Sequence, residues 1–371
     1  MDNINCEMLR DEDYALGLQR LFESYGYKKF KMRKFEKYDL YLENKSFLRN
    51  GNIITVTDPK GRLLALKPDI TLSIVKNVRA FSLPEKLYYT ETVYIADNSE
   101  GDIKESTQIG LEYIGELDIR ALAEILLLAA ESLSRVGEDY RIAVSHMSFV
   151  SDILSDSGLG ETECNSIIRL ISEKNIHGIV SLCTSLGIEK TTTDMICELA
   201  TVCGELRKDI KIAQRFVCGN ASEAGYNELV VLSDIIDDFG LSDKFILDFS
   251  LMNDMNYYNG LVFQGFINGV PKNVLSGGRY DNLMRRFGVD TAAAGFAVFT
   301  DVLDNFKYRT NEYDYDVFLL YSKDCKASDV LKAEREITER GLRCIAFCVE
   351  PEGLKYKRKA IMSSDGSVRY E

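Results

Sequence analysis

The sequence predicts an α+β fold: an antiparallel sheet flanked by helices, a helical insertion within it, and a small α/β domain at the C-terminal end. Three observations predict it. Hairpin-like strand pairs alternate with helices over the first 140 residues, which is not the strict strand–helix–strand rhythm of a doubly wound sheet. Helical periodicity then dominates from about 148 to 240. Strand signals return after residue 244, where the sheet begun before residue 115 is expected to be completed.

Each element follows from local pattern. Tyr14, Leu18, Leu21 and Phe22 recur at helical spacing and predict an amphipathic helix over 10–25. The segments 52–57 (NIITVT) and 62–67 (RLLALK) read as strands. Between them Asp58, Pro59, Lys60 and Gly61 have the residues of a type I turn, with Asp first, Pro second and Gly fourth. A helix is expected over 70–79, strands over 86–95 and 105–114 around a polar loop at 97–102, and a helix over 118–135. The insertion, 148–240, has small breaks at Gly158, Gly187 and Gly219. Strands are expected at 245–249, Leu261–Ile267 and 293–298. The tail reads as strand 316–321, helix 328–340 and strand 343–349. A basic stretch at 355–359 follows, a solvated strand or loop rather than a nucleic-acid patch. The expected domains are 1–310, carrying the insertion, and 311–371, a truncated α/β remnant.

Bulk composition narrows the function. The chain has 371 residues, 46% hydrophobic and 28% charged, enough for two globular domains. Acids outnumber bases 58 to 45, a formal charge of −13, which repels the phosphate backbone that drives nucleic-acid binding. The nine cysteines form no CxxC pair, and Cys344 and Cys348 are expected to share one strand face. They read as reduced core cysteines. The two histidines, His146 and His177, stand in no metal-ligand spacing, so no metal is expected. The first residues carry no signal-peptide run, and the apolar stretch 121–130 is too short to cross a bilayer and contains Glu124. A soluble, cytoplasmic protein without a membrane partner is expected.

No phosphate loop of the G-x-x-x-x-G-K-[ST] kind and no G-x-S-x-G elbow is present. More informative is the strand Gln108-Ile109-Gly110-Leu111-Glu112. Period two sends Ile109, Leu111 and Tyr113 to one face and Gln108, Gly110 and Glu112 to the other. Gly110 would leave a notch between an amide and a carboxylate, suited to an ammonium or imidazole group. The alternative is an ordinary polar sheet face. Asp69 and Thr71 flank a helix start, where Asp69 also fits as a plain N-cap. Asn256, Tyr257, Tyr258, Asn259 and Gly260 precede an apolar strand, and two adjacent strand tyrosines would face opposite ways. Gly277 and Gly278 precede a short helix and allow close backbone approach.

In this order the segments resemble the class II synthetase fold of histidyl-tRNA synthetase, from about residue 8 to about 306. KPDIT at 67–71 is similar to the family's R-P-E-G-T segment. TQIGLEYIG at 107–115 resembles the strand that closes its second motif, and NYYNG at 256–260 its D-Y-Y-T-G. GGRYDNL at 277–283 and AGFAV at 294–298 resemble the approach to its third motif. The resemblance implies that Asp69, Thr71, Gln108, Glu112, Tyr257 and Tyr258 grip histidine, with Gly277 and Gly278 as pocket backbone.

The same resemblance implies that catalysis is lost. The family's phosphate-binding arginines fall at Ile95, Asp102, Asn253 and Val302, and its first-motif proline at Arg33. Arginine forks are the chief means of neutralising polyphosphate, so no catalytic residue and no cofactor is expected. Residues 314–371 are too few for a full anticodon-binding domain. A family that keeps the fold and pocket while losing ATP and tRNA is the regulatory subunit of ATP phosphoribosyltransferase. The resemblance then implies a dimeric, non-catalytic chain that binds free histidine and partners a short catalytic subunit, with no tRNA bound. A divergent synthetase, a tRNA-binding domain without charging, and a stand-alone histidine sensor are the alternatives.

Overall fold

The alternation of apolar and polar residues in the two long strands sets the architecture. In the computed structural model, residues 6–43, 53–77, 84–96, 103–155, 157–251, 257–303 and 313–371 are described, side chains from Tyr14 onward. They fall into two compact units, 1–306 and 307–371.

The larger unit opens with α1 (Cys6–Ser24), β1 (Lys28–Lys29), β2 (Phe35–Lys37), α2 (Tyr38–Glu43), β3 (Thr55–Thr57), β4 (Leu63–Leu66) and α3 (Thr71–Asn77). The long hairpin β5 (Glu85–Ala96) and β6 (Ile103–Gly115) follows, then α4 (Ile119–Ser134) and β7 (Tyr140–His146). The insertion holds α5 (Ser148–Ser155), α6 (Glu161–Ser172), α7 (Ile176–Ser185), α8 (Lys190–Thr201), β8 (Cys203–Glu205), α9 (Leu206–Ala213) and α10 (Asn220–Asp238). The chain returns through β9 (Phe245–Asp248), β10 (Leu261–Ile267), β11 (Leu275–Arg279), α11 (Asp281–Arg286) and β12 (Ala292–Phe299).

One sheet of order β1-β5-β6-β12-β11-β10-β7-β9-β8 runs through this unit. Its ladders are antiparallel except β1 with β5 and β7 with β9. One face carries the core. Ile109 and Leu111 are fully buried and Tyr113 nearly so, as are Tyr14, Leu18, Leu21 and Phe22 of α1. Phe22 meets Phe296 edge-on at 5.9 Å. Helix α4 starts at Asp118, whose carboxylate accepts from Ala121 N at 2.8 Å, an N-cap that satisfies an otherwise orphaned donor. Its apolar run packs in the core. Strands β2, β4 and β3 form a separate small sheet. There Gly61 N donates to Asp58 O at 2.9 Å, closing the expected turn.

The structure departs from expectation in several places. β7 and β11 are central strands where no strand was expected. The insertion is not wholly helical, because β8 adds an edge strand beside β9. Three residues are too few to show a side-chain period in the sequence. Only Cys183 is buried among the described cysteines, and Cys203, Cys218 and Cys348 are exposed. Cys344 is half-buried in a strand that stops at Phe347, and Cys348 lies just past its end and is exposed. The loop 97–102 lies outside the described residues, as do Asp102, Asn253 and Asn256. Among the described residues no helix is long and apolar enough to cross a membrane.

The smaller unit is a four-stranded sheet, β14 (Cys344–Phe347), β13 (Tyr315–Tyr321), β15 (Tyr356–Met362) and β16 (Val368–Tyr370) in spatial order. Helix α12 (Ala327–Glu339) covers one face, and Val330, Ala333 and Ile337 pack on Val317, Leu319, Ala360 and Met362. The basic stretch lies largely in β15, where Lys357 pairs with Asp316 at 2.8 Å and Lys359 with Glu350 at 2.6 Å.

Candidate ligand-binding site

The polar face of β6 lines a cavity of about 320 Å³. Alternation places Lys104, Ser106, Gln108 and Glu112 along it, and Asp69 and Thr71 enter from the start of α3. Tyr257 and Tyr258 enter from the turn before β10. The cavity thus brings together all six residues assigned to histidine by resemblance. Tyr89, Ser276, Tyr280 and Gly295 also line it, and sequence reasoning missed them. Tyr280 stood in plain view beside the paired glycines.

Glu112 is the centre of the inner end and is only 2% exposed. Its Oε1 accepts from Thr71 Oγ1 at 3.1 Å and its Oε2 from Tyr280 Oη at 2.6 Å. Among the described residues no cation pairs with Glu112. Burial pushes its carboxyl up to about 8, against the opposing pull of the Tyr280 and Thr71 hydrogen bonds. Burial and the Glu112 charge together hold the Tyr280 and Tyr89 hydroxyls well above their ordinary range. Asp69 is an N-cap as well as a lining group, since its Oδ1 accepts from Leu72 N at 2.8 Å.

Two readings of the strands need correction. The notch at Gly110 is not open: a Cβ there would lie 2.3 Å from Phe296 O and 2.4 Å from the Tyr89 hydroxyl. Tyr89, paired with Gly110 in the ladder, fills it. The room for Glu112 is made instead by Gly295, directly opposite in β12, where a Cβ would come within 2.0 Å of Glu112 Oε2. Tyr257 and Tyr258 do not face opposite ways along a strand. They stand in a turn, both buried, with rings edge-on at 4.7 Å. Gly277 and Gly278 lie within β11 and do not line the cavity. A Cβ at Gly278 would strike the Tyr258 ring at 2.7 Å, so this glycine seats that tyrosine from behind.

The outer end differs in chemistry. Ile95, Phe299 and Val302 are apolar there. Lys104 is tied to Asp301 at 2.9 Å, and Ser106 donates to the same carboxylate at 2.7 Å. Lys272 is the second lining cation. The inner end therefore offers acceptors and aromatic faces to a small cation or imidazole. The outer end offers no guanidinium fork among the described residues.

A model of the histidyl-tRNA synthetase family matches residues 4–303. A relative from Caldanaerobacter subterraneus, an ATP phosphoribosyltransferase regulatory subunit, is 31% identical over 76% of this chain and 74% of its own. The chain belongs to the synthetase-like family of ATP phosphoribosyltransferase regulatory subunits. Two solved structures share the family fold. A Bacillus halodurans ATP phosphoribosyltransferase regulatory subunit/histidyl-tRNA synthetase has a TM-score of 0.76 at 23% identity, covering 98% of this chain and 96% of the other. A chain of the ATP phosphoribosyl transferase complex of Thermotoga maritima has a TM-score of 0.61 at 18% identity, covering 78% and 97%. Ile95 and Val302, to which the sequence resemblance assigned arginine positions of the synthetase motifs, both line the cavity. Arg33, at the first-motif proline, is exposed.

Proposed function

We propose that this chain is the non-catalytic regulatory subunit of ATP phosphoribosyltransferase, the first step of histidine biosynthesis. It activates a short catalytic chain and makes it sensitive to histidine. One observation carries the reading: the cavity keeps Asp69, Thr71, Gln108, Glu112, Tyr257 and Tyr258 together while Ile95 and Val302 stand at its outer end. A retained pocket without a phosphate clamp suits a sensor, which needs binding and not chemistry. Histidine sits with its imidazole or ammonium against Glu112 and the tyrosines. Membership of the family and the name of the Thermotoga maritima complex support a catalytic-chain partner. The chain also pairs with itself as a dimer, and its charge of −13 argues against tRNA as a ligand.

Mixing the purified chain with a short catalytic subunit tests the proposal. The two are expected to co-elute, and turnover of ATP and phosphoribosyl pyrophosphate is expected to rise. Histidine should then lower that turnover about 5- to 150-fold, the usual span of allosteric coupling. Separate elution with an unchanged catalytic rate would mean a stand-alone histidine sensor or another role.

A further inference from the structure

One carboxylate of the insertion stands beside the segments that carry the cavity's tyrosines, with a buried oxygen that accepts no hydrogen bond. Glu228 projects from α10 with its side chain 18% exposed. Its Oε1 is buried and accepts no hydrogen bond, although His146 Nε2 is 3.3 Å away. Its Oε2 is 3.9 Å from Arg279 Nη1, too far for a hydrogen bond. Glu228 thus stands within ion-pair distance of two donors and is hydrogen-bonded to neither.

Arg279 belongs to the frame that holds the cavity's tyrosines, and His146 to the seat of α10. Arg279 immediately precedes Tyr280, which donates to Glu112 at 2.6 Å. Arg279 Nε donates to Asp281 Oδ2 at 2.9 Å, and Asp281 N donates to Asn259 Oδ1 at 2.7 Å. Asn259 N in turn donates to Arg279 O at 3.1 Å, directly after Tyr258. On the other side, His146 Nδ1 lies 2.7 Å from Ser148 Oγ. Helix α10 presses on that pair at Gly225, where a Cβ would come within 2.3 Å of Ser148 Oγ and 2.5 Å of His146 Nδ1. Gly225 lies one turn before Glu228, so the helix has no slack there. The gap to Arg279 is the place where movement can be taken up.

We propose that Glu228 is a positioning residue that couples the cavity to the helical insertion. A ligand bound against Glu112 and the tyrosines draws Tyr280 and Arg279 with it, and a shift of about 1 Å brings Arg279 within the charge-assisted bonding range of Glu228. The pair closes, and α10 is held more firmly when the cavity is filled. This inference rests on the histidine reading of the cavity.

Hydrogen exchange along α10 in the full chain tests it, with and without saturating histidine, in wild type and Glu228→Gln. Calorimetric titration follows histidine binding in parallel. Histidine is expected to slow exchange in wild-type α10 about fivefold or more. Glu228→Gln keeps the shape and loses the charge; it should still bind histidine and show no slowing. Binding without slowing in wild type overturns the coupling, as does slowing that persists in Glu228→Gln. Loss of all histidine binding in Glu228→Gln also overturns it, because that marks a ligand contact. If wild type gives no heat with histidine, the cavity reading fails and this inference fails with it.

Discussion

Glu112 shows how one residue can combine a cost to stability with the binding role proposed for it. Burial disfavours the charge and pushes its carboxyl up to about 8 against an ordinary 4.5. The folded protein therefore holds this proton more tightly than the unfolded chain does. Below pH of about 4.5 the group adds no penalty; stability is then lost as pH rises through about 8. Glu112→Gln cannot ionise. It is expected to match wild type near pH 5 and to exceed it at pH 8 by on the order of a few kcal/mol. Urea denaturation at the two pH values measures this, and a difference independent of pH would show that the charge is not the cause. The proposed ligand reverses the balance, since a cationic or imidazole donor gives the carboxylate a partner. Glu112→Ala is expected to weaken histidine about 10- to 150-fold, from a charge-assisted bond of roughly 1.5–3 kcal/mol. Calorimetric titration of both proteins checks it, and equal affinities would place the site elsewhere.

At the scale of elements, what was legible had a period, and what was missed had none. β10 was expected with the bounds observed, and the β5–β6 hairpin and α4 within a few residues. Long runs with clear alternation gave those away. β7 is buried at six of its seven positions, so no polar face alternates with an apolar one. β11, LSGGR, was read as paired glycines before a helix and not as a strand. The close approach expected of them is between strands and rings: a Cβ at Gly277 would lie 2.5 Å from both Gly295 O and the Phe263 ring. The six proposed contact residues were legible because resemblance named them, and the strand period had already put Gln108 and Glu112 on one face. The filling of the Gly110 notch by Tyr89 was not, because ladder register decides it. Gly295 carries the same logic to a prediction. A methyl group there would meet Glu112 Oε2 at 2.0 Å and Leu111 O at 2.2 Å. Gly295→Ala should cost about 1–3 kcal/mol as overpacking. Gly137→Ala, with its nearest contact at 3.7 Å, should cost far less. Comparing urea midpoints of the two variants decides it, and equal midpoints would mean that β12 yields to make room.

At the scale of the whole molecule, the question is whether a synthetase-like fold with this cavity can still activate an amino acid. Adenylation needs preorganised positive charge where the phosphates of ATP develop charge in the transition state, and removing one such donor can cost on the order of 10²–10³ in rate. Here Ile95 and Val302, which the sequence resemblance puts at two arginine positions, line the outer end of the cavity. Neither side chain can donate a hydrogen bond. Lys104 cannot stand in for them as it is placed, because Asp301 already neutralises it at 2.9 Å, and freeing it would leave that carboxylate facing the phosphates. Two losses of this size act on the same group and do not add simply, yet even one leaves the reaction far below a working synthetase. The overall charge works in the same direction, since a chain at −13 has no long-range attraction to offer a polyanion. The chain is therefore expected to give no histidine-dependent exchange of pyrophosphate into ATP while it still binds histidine by calorimetry. Exchange above the background of a sample without histidine would mean that phosphate is held by groups other than these, and that the fold has kept its chemistry.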